Sequence, residues 1–178
     1  MSETKSPVDT PISNFSNCHV GILKRLQALD ELPALLEPAA RARSIAEQSL
    51  EFFREAIFEH HLEEERELFP AVIASAKPGE ELARVKAMAQ RLTNEHRAIE
   101  LLWKQLEKDL KQVAKGHNTH LDVSELHRLV SEYQGHARFE EAEFLPLAEE
   151  ILGRNSNHMA ALGMSLHMRH VKPVNAYI

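Results

Sequence analysis

The sequence predicts an all-α protein, an antiparallel up-down four-helix bundle with a short fifth helix at its C-terminal end. Three observations carry that expectation. Apolar residues recur at threes and fours almost throughout, the period of a helix with one buried face, and no stretch alternates as a strand would. Only six glycines occur in 178 residues and only 6% are aromatic, too few of each for a turn-rich sandwich or barrel. Helix-ending residues then fall so as to leave four long segments joined by short connections.

Taken in order, residues 1–13 carry Pro7, Pro11 and several Ser and Thr, and read as a disordered tail. The first helix is predicted over 16–32, stopped by Pro33. A second begins near Pro38, tolerated in a first turn, and runs to about 76 before the Pro78-Gly79 turn. Pro70 inside it should kink the helix or leave a carbonyl unpaired. The third spans 80–115 and ends at Gly116. Asp122 with Glu125 three residues on is a capping pair for the fourth, 123–152, which stops at Gly153. A fifth, 156–170, precedes Pro173, and Met159, Met164 and Met168 would dock it. The bundle domain is thus 14–153, with 154–178 as C-terminal helix and tail.

Composition narrows the class. A net charge of -6 with no basic run excludes a nucleic-acid footprint. No run of about 18 apolar residues predicts a membrane span, and the polar N-terminus has no signal-peptide stretch. A single cysteine, Cys18, rules out an internal disulfide and suits a reducing, cytoplasmic setting. The length fits one domain, as monomer or homodimer. Eleven histidines are the anomaly.

Several of those histidines interrupt the inward stripes. The stripes read Phe15, His19, Ile22, Leu26, Leu29 in the first helix and Leu50, Phe53, Ile57, His60, Glu64, Leu68, Ala71 in the second. The third reads Val85, Ala89, Leu92, His96, Ile99, Trp103, Leu106, Leu110. The fourth reads Leu129, Tyr133, His136, Glu140, Phe144, Leu147, Ile151. Four imidazoles and two carboxylates stand where packing calls for Leu or Ile. A buried carboxylate needs a positive partner, and no Lys or Arg shares these stripes; a metal cation would supply the charge. The chain also repeats. HHLEEERELFP (60–70) aligns with HARFEEAEFLP (136–146), and NCHVGIL (17–23) with NEHRAIE (94–100). Each half is a helix with one His paired with a helix bearing His-x-x-x-Glu, whose two side chains share a face. Two such halves make a two-metal cage.

On these residues the chain resembles the haemerythrin-like, HHE cation-binding domain family. The motifs are His19, His60-His61-x-x-Glu64-Glu65, Glu95-His96 and His136-x-x-x-Glu140-Glu141, over about 15–152. The resemblance implies a four-helix bundle with His19, His60, His61, Glu64, His96, His136 and Glu140 as metal ligands. It departs in the third helix, where the family's second His is replaced by Glu100; His61 or Glu100 is left to complete the site. Glu65 and Glu141 read as outer groups accepting from ligand imidazoles. His117, His120, His127, His158, His167 and His170 have no carboxylate at inward spacing and read as solvated or packing residues. Cys18 reads as an inert thiol, and Tyr133 as a core aromatic one turn from the site.

Imidazole and carboxylate donors without thiolate suit iron, manganese or zinc. The resemblance implies two iron ions, Fe2+/Fe3+, joined by an oxo or hydroxo bridge. Two functions follow from it. One is a binder of O2, NO or another small diatomic for storage, delivery or sensing, favoured by a seam filled with Phe53, Ile57, Trp103 and Phe144. The other is a di-iron oxidoreductase acting on peroxide or ferrous iron, or an iron donor in iron–sulfur repair.

Overall fold

The computed structural model describes residues 11–154, and among these it is helical with no strand. Residues 1–10 of the tail, the predicted fifth helix, and His158, His167 and His170 lie outside the described residues. No described helix is long and apolar enough to cross a membrane. The chain divides into two compact units, Met1–Arg43 and Ser44–Ile178.

Helix α1, Pro11–Phe52, supplies the described part of the first unit and enters the second. The stop expected at Pro33 does not occur: both Pro33 and Pro38 lie inside this helix. Each proline deletes one N–H, yet the residues around them (Ala34, Leu35, Leu36, Glu37, Ala39, Ala40) are among the best helix formers, and local propensity carries the chain through. Among the described residues of its unit, α1 has no second element to pack on. Ile22, Leu26 and Leu29, expected to point inward, are exposed.

The described residues of the second unit form three helical runs. After Phe52 the first continues through a π turn, Phe53–Ile57, then α2 (Phe58–Glu63), a π turn at Glu64–Leu68, and α3 (Phe69–Ser75). Helix α4, Glu80–Ala114, is the second run. The third is α5 (Val123–Phe139), a π turn at Glu140–Phe144, and α6 (Leu145–Gly153). The connections follow the expected signals. Gly79 takes a φ of 108°, a conformation open to glycine, and the Lys77 N–H donates to Glu81 Oε1 at 2.7 Å just past it. Gly116, at φ 71°, closes α4: its N–H donates to the Val113 carbonyl and that of His117 to Gln112, both at 2.9 Å. Asp122 caps α5 by accepting from the Ser124 and Glu125 N–H groups.

At Pro70 a π turn stands where a kink or an unpaired carbonyl was expected, and Pro146 follows a π turn of the same kind. The N–H of the residue before each proline reaches back five positions, Phe69 to the Glu64 carbonyl and Leu145 to that of Glu140. The wider turn inserts one residue into the helical register. The buried stripe therefore runs through Phe69 and Val72 where Leu68 and Ala71 were expected, and through Ala148 where Leu147 was expected. Helix α4 has no such turn, and every residue of its expected stripe is buried.

Helix α4 packs against α5, α3 and α2, and α6 packs against α3. Arg154 at the end of α6 donates to both oxygens of Glu81 at the start of α4, each at 2.8 Å. The apolar core falls into two clusters. One contains Phe69, Val72, Val85, Leu92, Phe144 and Ile151; the other contains Ala46, Ile99, Trp103, Leu106 and Leu129, with Phe53 stacked on Trp103 at 3.8 Å. Along each run the histidines and glutamates lie between the two.

These burials predict a contrast on one helix. Leu106→Ala, in the second cluster, should lower unfolding free energy by about 2–5 kcal/mol. Leu101→Ala, at an exposed position of the same helix, should change it by about 0.5 kcal/mol or less. Urea unfolding monitored by circular dichroism measures both.

Candidate metal centre

Five polar side chains are buried between the apolar clusters: His61, Glu64, His96, His136 and Glu140, exposed by only 0–6%. They arrive from all three helical runs of the second unit. His61 lies on α2, His96 on α4 and His136 near the end of α5, while Glu64 and Glu140 each open a π turn. The proline repeat thus has a local purpose, because each widened turn begins at a buried carboxylate. Such turns occur disproportionately at functional sites.

Two groups of donors form. The imidazoles of His61, His96 and His136 bring ligand atoms within 4.8 Å of one another, and so do His60, Glu64 and Glu140. The His61 and His96 rings stack at 3.9 Å, and His136 meets His96 edge-on at 4.8 Å. Glu64 touches both groups, Oε1 lying 3.2 Å from His60 Nε2 and Oε2 3.2 Å from His96 Nε2. Glu140 Oε2 stands 3.9 Å from His136 Nε2.

These donors are left without partners. The Nε2 atoms of His61, His96 and His136, His61 Nδ1 and both Glu64 oxygens are buried with no hydrogen bond. An unpaired buried polar atom costs about 1–3 kcal/mol, and so many in one place would be hard to retain unless something binds them. Nitrogen and oxygen donors aimed at common points fit a metal ion. The electrostatics agree. Burial, then the neighbouring His96 and His136, pushes the His61 imidazole down to about 2, so it stays neutral with a lone pair free. Burial also lowers His136. Burial holds the Glu64 carboxyl above its ordinary value, and burial with Glu64 alongside does the same to Glu140. Without a cation the carboxyl pair keeps a proton.

An outer layer orients the rings. Glu65 Oε1 accepts from His96 Nδ1 at 2.8 Å, and Glu95 Oε2 from His136 Nδ1 at 3.1 Å. Both bonds turn Nε2 inward. The outer role expected for Glu65 is what the geometry presents, while Glu141 is exposed. Glu95 was not anticipated as the partner of His136. Its sequence signal was Arg91 four residues earlier, whose Nε donates to Glu95 Oε1 at 2.7 Å, but its aim onto another helix has no sequence signature.

His60 and His61 exchange places relative to expectation. His61, read as lying on the flank of its stripe, is the buried one, and His60 is half exposed. At about 100° per residue from buried Ile57, position 60 falls roughly 60° to one side and position 61 roughly 40° to the other, so the second is nearer the core. Glu100 sits outside the imidazole group, its Oε1 4.0 Å from His61 Nδ1. Tyr133 is partly buried, its ring centre 6.0 Å from that of His136, and burial followed by Glu64 and Glu140 raises its phenol. His117, His120 and His127 are exposed. His19 lies on α1 in the first unit, where it is exposed and belongs to neither donor group.

A helical fold with buried imidazole and carboxylate donors defines a metal-binding protein. Residues 10–148 match the hemerythrin HHE cation binding domain, and the chain belongs to that family. An uncharacterized protein of Haemophilus influenzae is 25% identical over 158 residues, covering 85% of this chain and 88% of that one. No solved structure gives a significant match.

Two measurements follow. Metal entering the site should displace the carboxyl proton, so titrating ferrous ion into weakly buffered metal-free protein near neutrality should release about one proton per chain, and less in Glu140→Gln. Stability should also depend on pH in a signed way. Above the ordinary histidine value of 6.5, His61 is neutral folded or unfolded, whereas the raised carboxyls still bind protons that the unfolded chain has lost. Metal-free protein should therefore lose stability from neutral into mildly alkaline pH, and Glu140→Gln should flatten that loss; thermal melts test both.

Proposed function

We propose that the centre holds two iron ions and binds a small diatomic ligand, O2 or NO, reversibly. The observation that carries this is the set of buried donor atoms without partners, enclosed between two apolar clusters. His61, His96 and His136 would hold one ion; His60 and Glu140 would hold the other, with Glu64 reaching both. The irons would supply a reducible centre with an open coordination position. The protein keeps His61 and His136 neutral, turns Nε2 of His96 and His136 inward and encloses the buried donors between apolar clusters. Phe69, its ring 6.0 Å from His96, and Phe144 beside it wall the site with buried apolar rings, a setting that suits a small uncharged molecule.

His19 is proposed as a further imidazole donor, on the strength of its repeat match to His96, in a four-helix arrangement of residues 14–153. With five imidazoles, two bridging carboxylates and one oxo or hydroxo bridge, about eleven of the roughly twelve positions of two octahedral ions are filled. One remains open. Half-exposed His60 favours a second reading, a di-iron oxidoreductase acting on peroxide or ferrous iron, or an iron donor in iron–sulfur repair, since it gives the second donor group an edge toward solvent.

Anaerobic reconstitution should plateau near two iron atoms per chain, and the near-colourless protein should gain a visible band with O2 or NO that disappears when the gas is removed. A plateau at one atom would refute the two-ion site, and turnover of peroxide with no stable adduct would favour the second reading. His61→Ala should open another position and speed autoxidation; unchanged autoxidation with azide binding also unaltered would remove His61 from the ligand set.

A further inference from the structure

We propose that Arg97 is a positioning residue for two ligand imidazoles at once, acting through a pair of carboxylates it holds together. The inference rests on the metal-binding reading above. Arg97 follows His96 on α4 and is half exposed. Its Nη2 donates to Glu65 Oε2, and its Nη1 to Glu100 Oε1 at 2.8 Å. Each carboxylate stands behind a different ring. Glu65 accepts from His96 Nδ1 at 2.8 Å, and Glu100 Oε1 stands 4.0 Å from His61 Nδ1.

The geometry has a chemical reason. The guanidinium is a rigid planar fork with a fixed spacing between its nitrogens, so one nitrogen on each carboxylate sets the distance between Glu65 and Glu100. Remove the fork and two like charges on neighbouring helices repel. Glu65 then loses the geometry that keeps the proton of His96 on Nδ1 and its lone pair on Nε2. Because His61 stacks on His96 at 3.9 Å, a turn of one ring displaces the other. Arg91 serves Glu95 and hence His136 alone, and its guanidinium also lies over the Phe139 ring at 3.5 Å. Arg97 is thus placed to align the two stacked rings that Arg91 does not reach.

The test uses the full chain, metal-free and then titrated with ferrous ion alone under anaerobic conditions against a competing chelator. Histidine nitrogen NMR of the metal-free protein reports which ring nitrogen of His96 carries the proton. In wild type that proton should sit on Nδ1; in Arg97→Leu the signal should move toward a mixture of tautomers, and ferrous affinity should fall by about 10–100-fold. Arg97→Lys should recover only part, because an ammonium cannot hold both carboxylates in a fixed fork. If Arg97→Leu does not fold, Glu65→Gln provides the same comparison. A lower melting temperature with His96 tautomer and ferrous affinity unchanged would reduce Arg97 to a surface ion pair and overturn the proposal. Wild type that binds no ferrous ion, while its His96 tautomer still responds to Arg97, would refute the metal reading and leave the positioning role supported.

Discussion

Two carboxyl groups held where water cannot solvate them constrain everything around the site. Glu64 and Glu140 are buried beside one another, and burial and mutual proximity keep His61 and His136 uncharged, so neither of these supplies a balancing charge. A retained proton or an entering cation relieves the cost of that burial. The same crowding that lowers the imidazoles raises the acids, so both effects prepare donors for a metal and leave the metal-free state less favourable. Charge on the outside follows the same logic. Glu65, Glu95 and Glu100 lie one layer out, where Arg91 and Arg97 can balance them in contact with solvent.

The backbone meets this constraint with the same device in both halves. Each buried glutamate opens a π turn, and each of these two turns ends just before the residue that precedes a proline. A proline in a regular helix leaves the carbonyl four residues back without its donor. Widening the turn lets the preceding residue bond five back, so backbone pairing is kept up to the proline. The extra residue then rotates the following helix, which brings Phe69 and Val72 into the core in the first half and Ala148 in the second. Sequence repeat, turn type and carboxylate position are one feature seen at three scales.

Helix α4 was legible in full from periodicity, since an uninterrupted helix obeys the threes-and-fours rule that its apolar residues display. So were the turn at Gly79, the stop at Gly116 and the Asp122 cap, whose chemistry is local. The buried ligand-type residues on α4 and α5 were legible for the same reason. The segments beyond the π turns were less so, because the wider turn changes the period midway and Pro70, which follows one such turn, was read as a kink. That is why Leu68 and Ala71 were favoured over their neighbours, and it compounded the near tie between His60 and His61. Pro33 was overestimated as a stop: proline weighs against a helix at one position, while the Ala- and Leu-rich residues around it weigh in favour at many. The Glu95–His136 and Glu65–His96 bonds join residues 41 and 31 apart, which local patterns cannot reveal.

The division of the core into two apolar clusters separated by a polar layer bears on cooperativity. Leu92 and Phe144 belong to one cluster and Trp103 and Leu129 to the other, so α4 and the helical run that begins with α5 each contribute side chains to both blocks, with donor residues between them. With those donors unsatisfied, the boundary between blocks is where the unit holds together least, and each block can open with its own free energy. Ligation across the polar layer would link α2, α4 and α5 at that boundary and fuse two folding units into one. Amide exchange would then slow on both sides together, far from any ligand atom, and the metal would act as the keystone of the unit's rigidity as much as the seat of its chemistry.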